Sequence, residues 1–312
     1  MSRDSVTPLL AVPNLSVGPD PDGRGPLAAL TAAFANDAAL LDSHSDATHG
    51  RTVLTLAGPP QGLGASLLAG AEAAIDSLDL SAHAGAHPNI GALDVAPIVY
   101  PDPGQAASAE WLARKAAAAL GELGLPVFLY GALARSAPRA ERHYFRRGGL
   151  TALGQRMRSG ELEADFGPAQ PHPSAGAVMV TARPPLAAFN VELEGLDDQQ
   201  GKALAAELRE SGGGLEGVRA IAIRLPSGRE QISTNVHDPA ALPLAAVVAA
   251  IRDLAEPRGA VALAAELVGL VPEAGLAGFP GDLPWRGGDP AERTIEGRLA
   301  ELARQRGPAA DG

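Results

Sequence analysis

Seven histidines occur in this chain of 312 residues, and two of them lie four positions apart in His83-Ala84-Gly85-Ala86-His87-Pro88-Asn89-Ile90-Gly91-Ala92-Leu93-Asp94. Three chemistries fit those residue types. On a helix, His83 and His87 would share a face and could share a metal ion, but Gly85 and Pro88 disfavour a helix and no glutamate follows the first histidine. In a loop, both imidazoles could simply bond to backbone. The third reading is a proton-transfer base, because an imidazole titrates near neutrality and Asp94 follows at the start of an apolar run.

A second group is Arg135, Arg139, Arg142, Arg146 and Arg147, interrupted by Tyr144 and Phe145 and by a single acid, Glu141. Such a run is either a solvated helical face or a site for a small polyanion held through its carboxylates. A third is Gly167-Pro168-Ala169-Gln170-Pro171-His172-Pro173-Ser174-Ala175-Gly176, an ordinary loop or a rigid pocket wall that loses little entropy on binding. Familiar fingerprints are missing. There is no Gly-Lys-Ser/Thr of a P-loop and no GxSxG elbow, and Gly58-Pro59-Pro60-Gln61-Gly62-Leu63-Gly64 reads as a turn rather than a dinucleotide loop.

Composition narrows the classes. The 25 basic residues against 36 acidic ones give a net charge of −11, which argues against nucleic acid or an anionic membrane surface as partner. With no cysteine there is no disulfide, thiolate zinc site, iron–sulfur cluster or cysteine nucleophile. A hydrophobic share of 46% supports a sizeable core. Neither a secretory leader at Met1–Leu15 nor an apolar run of about 18 residues is visible, so a cytoplasmic soluble protein is expected.

The elements that must position these residues alternate between strand and helix. Strands are expected at Leu9–Val12, Thr52–Ala57, Ala92–Val99, Pro126–Tyr130, Val178–Thr181, Leu186–Leu193, Val218–Leu225, Glu230–Val236 and Ala260–Leu267. Helices are expected at Pro26–Asn36, Leu63–Leu78, Gln105–Leu120 (with Trp111 on its apolar side), Asp197–Glu210, Leu242–Glu256 and Glu292–Gln305, followed by a frayed Gly307–Gly312. The fold class is therefore α/β (α+β), with a seam between Thr181 and Leu186 and about five strands on either side.

Taken in order, these segments resemble the formiminotransferase family. The matching residues include Val12-Pro13-Asn14-Leu15-Ser16, Arg51-Thr52-Val53, the His83–Val95 stretch, Pro126–Gly131, Arg146-Arg147-Gly148, Asp165–Pro168, His172-Pro173 with Gly176-Ala177, Arg183 with Pro185-Leu186, Phe189-Asn190, Arg209-Glu210-Ser211 and Val268–Pro272. The resemblance implies two subdomains, 1–183 and 184–312, each a mixed β-sheet covered by helices, with the sheets facing each other across a groove. It implies a homodimer that transfers a formimino group from N-formimino-L-glutamate to N5 of tetrahydrofolate, a co-substrate, without a metal. The catalytic histidine maps to His87. The folate loop maps to Gly167, Pro168, Ala169, Gln170, Pro171, His172, Pro173, Ser174, Ala175 and Gly176. Arg51, Arg139, Arg142, Arg146, Arg147 and Arg183 are candidates for substrate carboxylates, and Asp94, by its position alone, for orienting the imidazole.

Four positions depart from the family pattern. Val17 stands for Glu, Gly50 for Asn, Asn89 for Arg and Glu192 for Asn. The last two should make the local field more negative and weaken the grip on a dicarboxylate. Two alternatives follow: a diverged folate-binding paralogue without turnover, or a formyl transferase using N-formylglutamate or 5-formyltetrahydrofolate.

Overall fold

The computed structural model describes residues 7–306. The expected fraying of Gly307–Gly312 and the start of the leader region therefore fall outside the described residues. The chain divides into two units, Met1–Pro184 and Pro185–Gly312.

The first unit is built on a seven-stranded mixed sheet. Its strands are β1 (Leu9–Ala11), β2 (Asn14–Leu15), β3 (Ala39–Asp46), β4 (Arg51–Gly58), β5 (Leu93–Val99), β6 (Val127–Leu129) and β7 (Val178–Arg183). β1 and β2 are one strand broken at Pro13, lying between β4 and β5. Proline has no N–H to give a ladder. The rungs nevertheless continue through the break, because the Pro13 carbonyl accepts from Leu54 N–H at 3.0 Å and Pro97 O from Val12 N–H at 3.0 Å. β5, β7 and β6 run parallel, as crossover connections require.

Those three strands are buried on both faces, which explains their unbroken apolar runs. One face packs on helices α2 (Pro60–Ser77) and α3 (Ala106–Glu122) through Ala96, Ile98, Val127, Leu129, Val178 and Val180, with the smaller α1 (Leu27–Phe34) against α2. The other packs Val95, Phe128 and Met179 against the short α4 (Arg142–Arg146) and α5 (Gly149–Arg158). Each large side chain fully buried this way contributes about 1.5–3 kcal/mol.

Several local expectations change. Trp111 is not on the buried side of α3; it is 51% exposed, with Lys115 Nζ 4.7 Å from its ring centroid. The buried side is carried by Ala109, Leu112, Ala113, Ala116, Ala117 and Leu120. Gly62 and Gly64 are not in a turn but inside α2, which starts at Pro60 with that proline in its first turn, where a missing N–H costs nothing. β3 and α5 have no counterpart among the expected elements. β3 carries Asp42-Ser43-His44-Ser45 and has β4 as its ladder partner, so its extended form comes from the ladder and not from apolar alternation.

The second unit has a five-stranded sheet in the order β12, β11, β8, β10, β9. Here β8 is Ala187–Glu194, β9 Val218–Arg224, β10 Glu230–Val236, β11 Val261–Leu267 and β12 Trp285–Arg286. One face buries Phe189, Val191, Leu193, Ile232 and Val236 with α6 (Asp198–Leu208) and α7 (Leu244–Ala255). The apolar stripe of α7, Leu244, Val247, Val248 and Ile251, lies inside that core. α8 (Ile295–Arg306) follows at the end. α6 begins at Asp197, whose carboxylate accepts from Gln200 N–H at 2.7 Å while the Gln200 side chain accepts from Asp197 N–H at 3.0 Å. Replacing Asp197 with Ala should lower stability by about 1 kcal/mol, read as a shift in the urea midpoint with the slope unchanged.

Candidate active site

The histidine segment is a loop that leans on the turn between β3 and β4. Ala86 N–H donates to Thr48 O at 3.0 Å and His87 N–H to His49 O at 3.4 Å. Contact this close needs two glycines. A Cβ on Gly50, which has φ +59°, would lie 2.7 Å from Gly85 Cα, and a Cβ on Gly85 would lie 2.2 Å from His49 O. The result is a pocket lined by Leu15, Ser16, His49, Gly50, Arg51, His83, His87, Asn89 and Asp94. Its interior volume of about 10 Å³ is room for one water-sized group.

His87 is half-buried, and its Nε2 lies 2.8 Å from Arg51 Nη1. A guanidinium only donates, so Nε2 accepts and the ring proton sits on Nδ1. That Nδ1 is buried with no hydrogen-bond partner. Burial, then Arg51, Arg146, Arg142 and His49, hold the His87 pKa well below 6.5. The ring is therefore neutral at pH 7. Arg51 is itself lowered to about 10, first by burial and then by Arg146 and Arg142, with Asp94 and Asp46 pulling the other way. Burial also lowers Arg142.

Asp94 does not touch the imidazole, contrary to the orienting contact expected from its position. One oxygen accepts from Ile90 N–H at 2.8 Å and the other pairs with Arg146 Nη2. With 4% of its side chain exposed, it is the anchor of the histidine loop and the counter-charge for Arg146. Around His87 the structure brings together Arg51, Arg142, Arg146 and Asp94, and the charges that act on its ring are guanidiniums and the His49 imidazole.

The other candidate arginines separate from this group. Arg139 reaches Asp165 and the Glu163 carbonyl and lies 5.8 and 5.5 Å from the rings of Phe128 and Phe145. Arg147 is 65% exposed and pairs with Glu161. Both have partners within the protein. Arg183 sits at the end of β7 beside Tyr130 and Arg142, lowered by burial to about 10.

The expected folate loop is a self-bonded turn. His172 N–H donates to Gly176 O at 2.8 Å and Gly176 N–H to His172 O at 2.9 Å. Gly167, Pro168, Ala169 and Gln170 are exposed, while Ala175 and Ala177 bond to Ala92 and Ile90, backing the histidine loop. Gly176, at φ +69°, packs so closely that a Cβ would lie 2.2 Å from Ile90 O. None of the ten loop residues lines the pocket itself.

Glu192 lies in the second unit and does not create the negative field expected of it. Arg229 Nη1 is 2.9 Å from one carboxylate oxygen and Arg286 Nη2 pairs with the other. Asn89 lines the pocket, where the charge it lacks is outweighed by Arg51, Arg142 and Arg146. Among the described residues no group of three or more His, Asp or Glu side chains is arranged to hold a metal ion.

Two residues of the pocket region were not anticipated. His49, 2% exposed, lines the pocket, and Asp46 Oδ1 lies 2.9 Å from its Nδ1. The same oxygen accepts from the His49 backbone N–H at 2.7 Å. The available signal was the Asp46-x-x-His49-Gly50 spacing, an Asx-type turn closing a hairpin, which an apolar-pattern reading passes over. Burial raises the Asp46 pKa, but the hydrogen bonds from His49 and the charges of His49 and His44 outweigh it and hold it at about 2.

Two outcomes follow. Asp94→Asn leaves Arg146 buried without its counter-charge and should cost about 3 kcal/mol in equilibrium unfolding. Stability should also depend on pH with a definite sign. The unfolded His87 takes up a proton below 6.5 that the folded ring refuses, so this contribution is present above pH 6.5 and lost as pH falls below it. His87→Asn should flatten that part of the stability–pH curve.

Comparison with known proteins identifies the family. Residues 9–183 match the family model described as formiminotransferase domain, N-terminal subdomain. Glutamate formimidoyltransferase of Streptococcus pyogenes serotype M1 is 31% identical over 267 residues, 85% of this chain and 89% of that protein. The enzyme of the same name from Thermoplasma acidophilum is 32% identical over 269 residues, 85% and 88% of the two chains. Formimidoyltransferase-cyclodeaminase of Sus scrofa is 36% identical over 245 residues, 75% of this chain but only 44% of the pig protein, so the match spans less than half of that relative. By these matches over most of its length, the chain belongs to the formiminotransferase family.

Proposed function

We propose that this protein is a glutamate formimidoyltransferase, moving a formimino group from N-formimino-L-glutamate to N5 of tetrahydrofolate in histidine breakdown. Family membership supports the reaction. The observation that carries it to this site is His87, neutral and half-buried, among Arg51, Arg142 and Arg146, with Asp94 paired to Arg146. A cluster of guanidiniums suits a donor with two carboxylates. Arg183, beside Arg142, extends that positive surface. The loop Gly167–Gly176 is our choice for the pterin wall, because its inner end is bonded to the histidine loop and its outer end is exposed.

The chemistry is an addition–elimination at the amidine carbon. The N5 lone pair adds to that carbon, and the tetrahedral adduct expels the glutamate nitrogen. As the proton-transfer base that its segment allows, His87 would take the N5 proton. In this geometry its Nε2 lone pair is given to Arg51, and the group it offers is Nδ1–H. Such a donor stabilises a lone pair that appears on the glutamate nitrogen only as the amidine becomes tetrahedral. Holding both substrates together supplies a large share of the acceleration. A homodimer and a cytoplasmic location belong to the same proposal; light scattering should give a particle of two chains.

Mixing protein, tetrahydrofolate and N-formimino-L-glutamate should release glutamate. His87→Ala should cut turnover by roughly 10²–10⁴ while folate affinity stays within a few-fold. Folate binding without glutamate release would favour a binding paralogue. Glutamate released only from N-formylglutamate would favour a formyl transferase.

A further inference from the structure

If His87 is occupied as a donor, something else must accept the proton of the attacking amine. We propose that His49, oriented by Asp46, is that group: a second catalytic imidazole whose Nε2 takes the N5 proton and returns it to the departing glutamate nitrogen. This rests on the formimino-transfer reading above and adds to it a residue outside the segments that carry the family resemblance.

The argument is geometric. A single carboxylate oxygen, Asp46 Oδ1, accepts the His49 backbone N–H at 2.7 Å and lies 2.9 Å from the ring Nδ1. The ring contact is short, though its angle falls outside a well-formed hydrogen bond. A carboxylate on Nδ1 puts the ring proton there and leaves the lone pair on Nε2. That Nε2 is buried and has no partner, although His49 itself is 2% exposed and lines the pocket. A histidine with a merely structural task would be expected to spend both nitrogens on the protein. The His49 and His87 rings are neighbours, with centroids 6.1 Å apart and planes at 45°.

The two rings thus present opposite hydrogen-bonding faces to one pocket, an acceptor on His49 and a donor on His87. Their settings are opposite as well. His49 has a carboxylate on its far nitrogen, whereas His87 has a guanidinium on its own. The surrounding charges are Asp46 and His44 on β3, Arg51 on β4, His83 and His87 in the loop before β5, Asp94 on β5, and Arg142 and Arg146 on α4.

Atoms and charge balance within this scheme. The N5–carbon bond forms as the N5 proton moves to His49 Nε2. The bond from carbon to the glutamate nitrogen then breaks, that nitrogen keeps the electron pair, and it receives the same proton back. His49 ends as it began, and no other reactant is consumed.

The test uses the full chain and follows glutamate release with tetrahydrofolate and N-formimino-L-glutamate from about pH 5.5 to 9. His49→Gln should lower kcat by roughly 10²–10⁴ with both KM values within about three-fold, and should abolish the fall in kcat toward low pH. Asp46→Asn should lower kcat while both KM values stay within about three-fold, because the ring loses the carboxylate that orients it. Nitrogen-15 spectra of the histidine side chains in the parent protein should show His49 with its proton on Nδ1 and an unprotonated Nε2, and this reading needs no variant to fold. A His49→Gln protein with the parent's kcat and pH profile, or the opposite ring tautomer in the parent, would overturn the proposal and leave the transferase reading standing. Absence of glutamate release from the parent would overturn both.

Discussion

The site depends on how closely one turn and one loop can approach. Thr48 and His49 carbonyls take the N–H groups of Ala86 and His87, and neither Gly50 nor Gly85 puts a side chain in the gap. A Cβ at either position would push the segments apart. Because they touch, Arg51 at the head of β4 reaches the imidazole of His87, and His49 joins the same pocket from the turn. The backbone of a polar hairpin thereby becomes one wall of the candidate active site.

Electrostatics follow from that contact. Arg51, Arg142 and Arg146 converge where Asp94 is already committed to Arg146 and to Ile90 N–H. Buried cations without matching anions are costly, and the cost falls when an anionic ligand arrives. Burial, and then the same guanidiniums, hold the His87 pKa down and keep the ring neutral. Elsewhere, similar residues stabilise the fold. Arg139 and Asp165, and Glu192 with Arg229 and Arg286, are balanced internally.

Much of the fold was legible because its strands and helices bury long apolar patterns. Val127-Phe128-Leu129 and the α7 stripe could hardly be read otherwise. β3 was not legible, since a polar edge strand takes its form from its neighbour. Trp111 misled because a large apolar side chain on a helix surface can be exposed at little cost. At the site, the His83–Asp94 segment was visible as chemistry, and Arg51, Arg142 and Arg146 do gather near His87. The arginine run could not be divided by sequence into Arg142 and Arg146 on one side and Arg139 and Arg147 on the other. One residue of shift on a short helix turns a side chain toward a different partner.

By itself, the order of residues determined the α/β class, the family, the choice of His87 and the glycine–proline bends around it. These depend on local patterns and on segments in a fixed sequence. Tertiary structure alone decided which nitrogen of His87 is occupied, that Asp94 anchors a loop and an arginine instead of a histidine, and that His49, with Asp46 against its ring, lines the same pocket. Those outcomes depend on ångström-scale approach between segments far apart in the chain, and hydrogen bonds change partner over distances that no spacing pattern encodes.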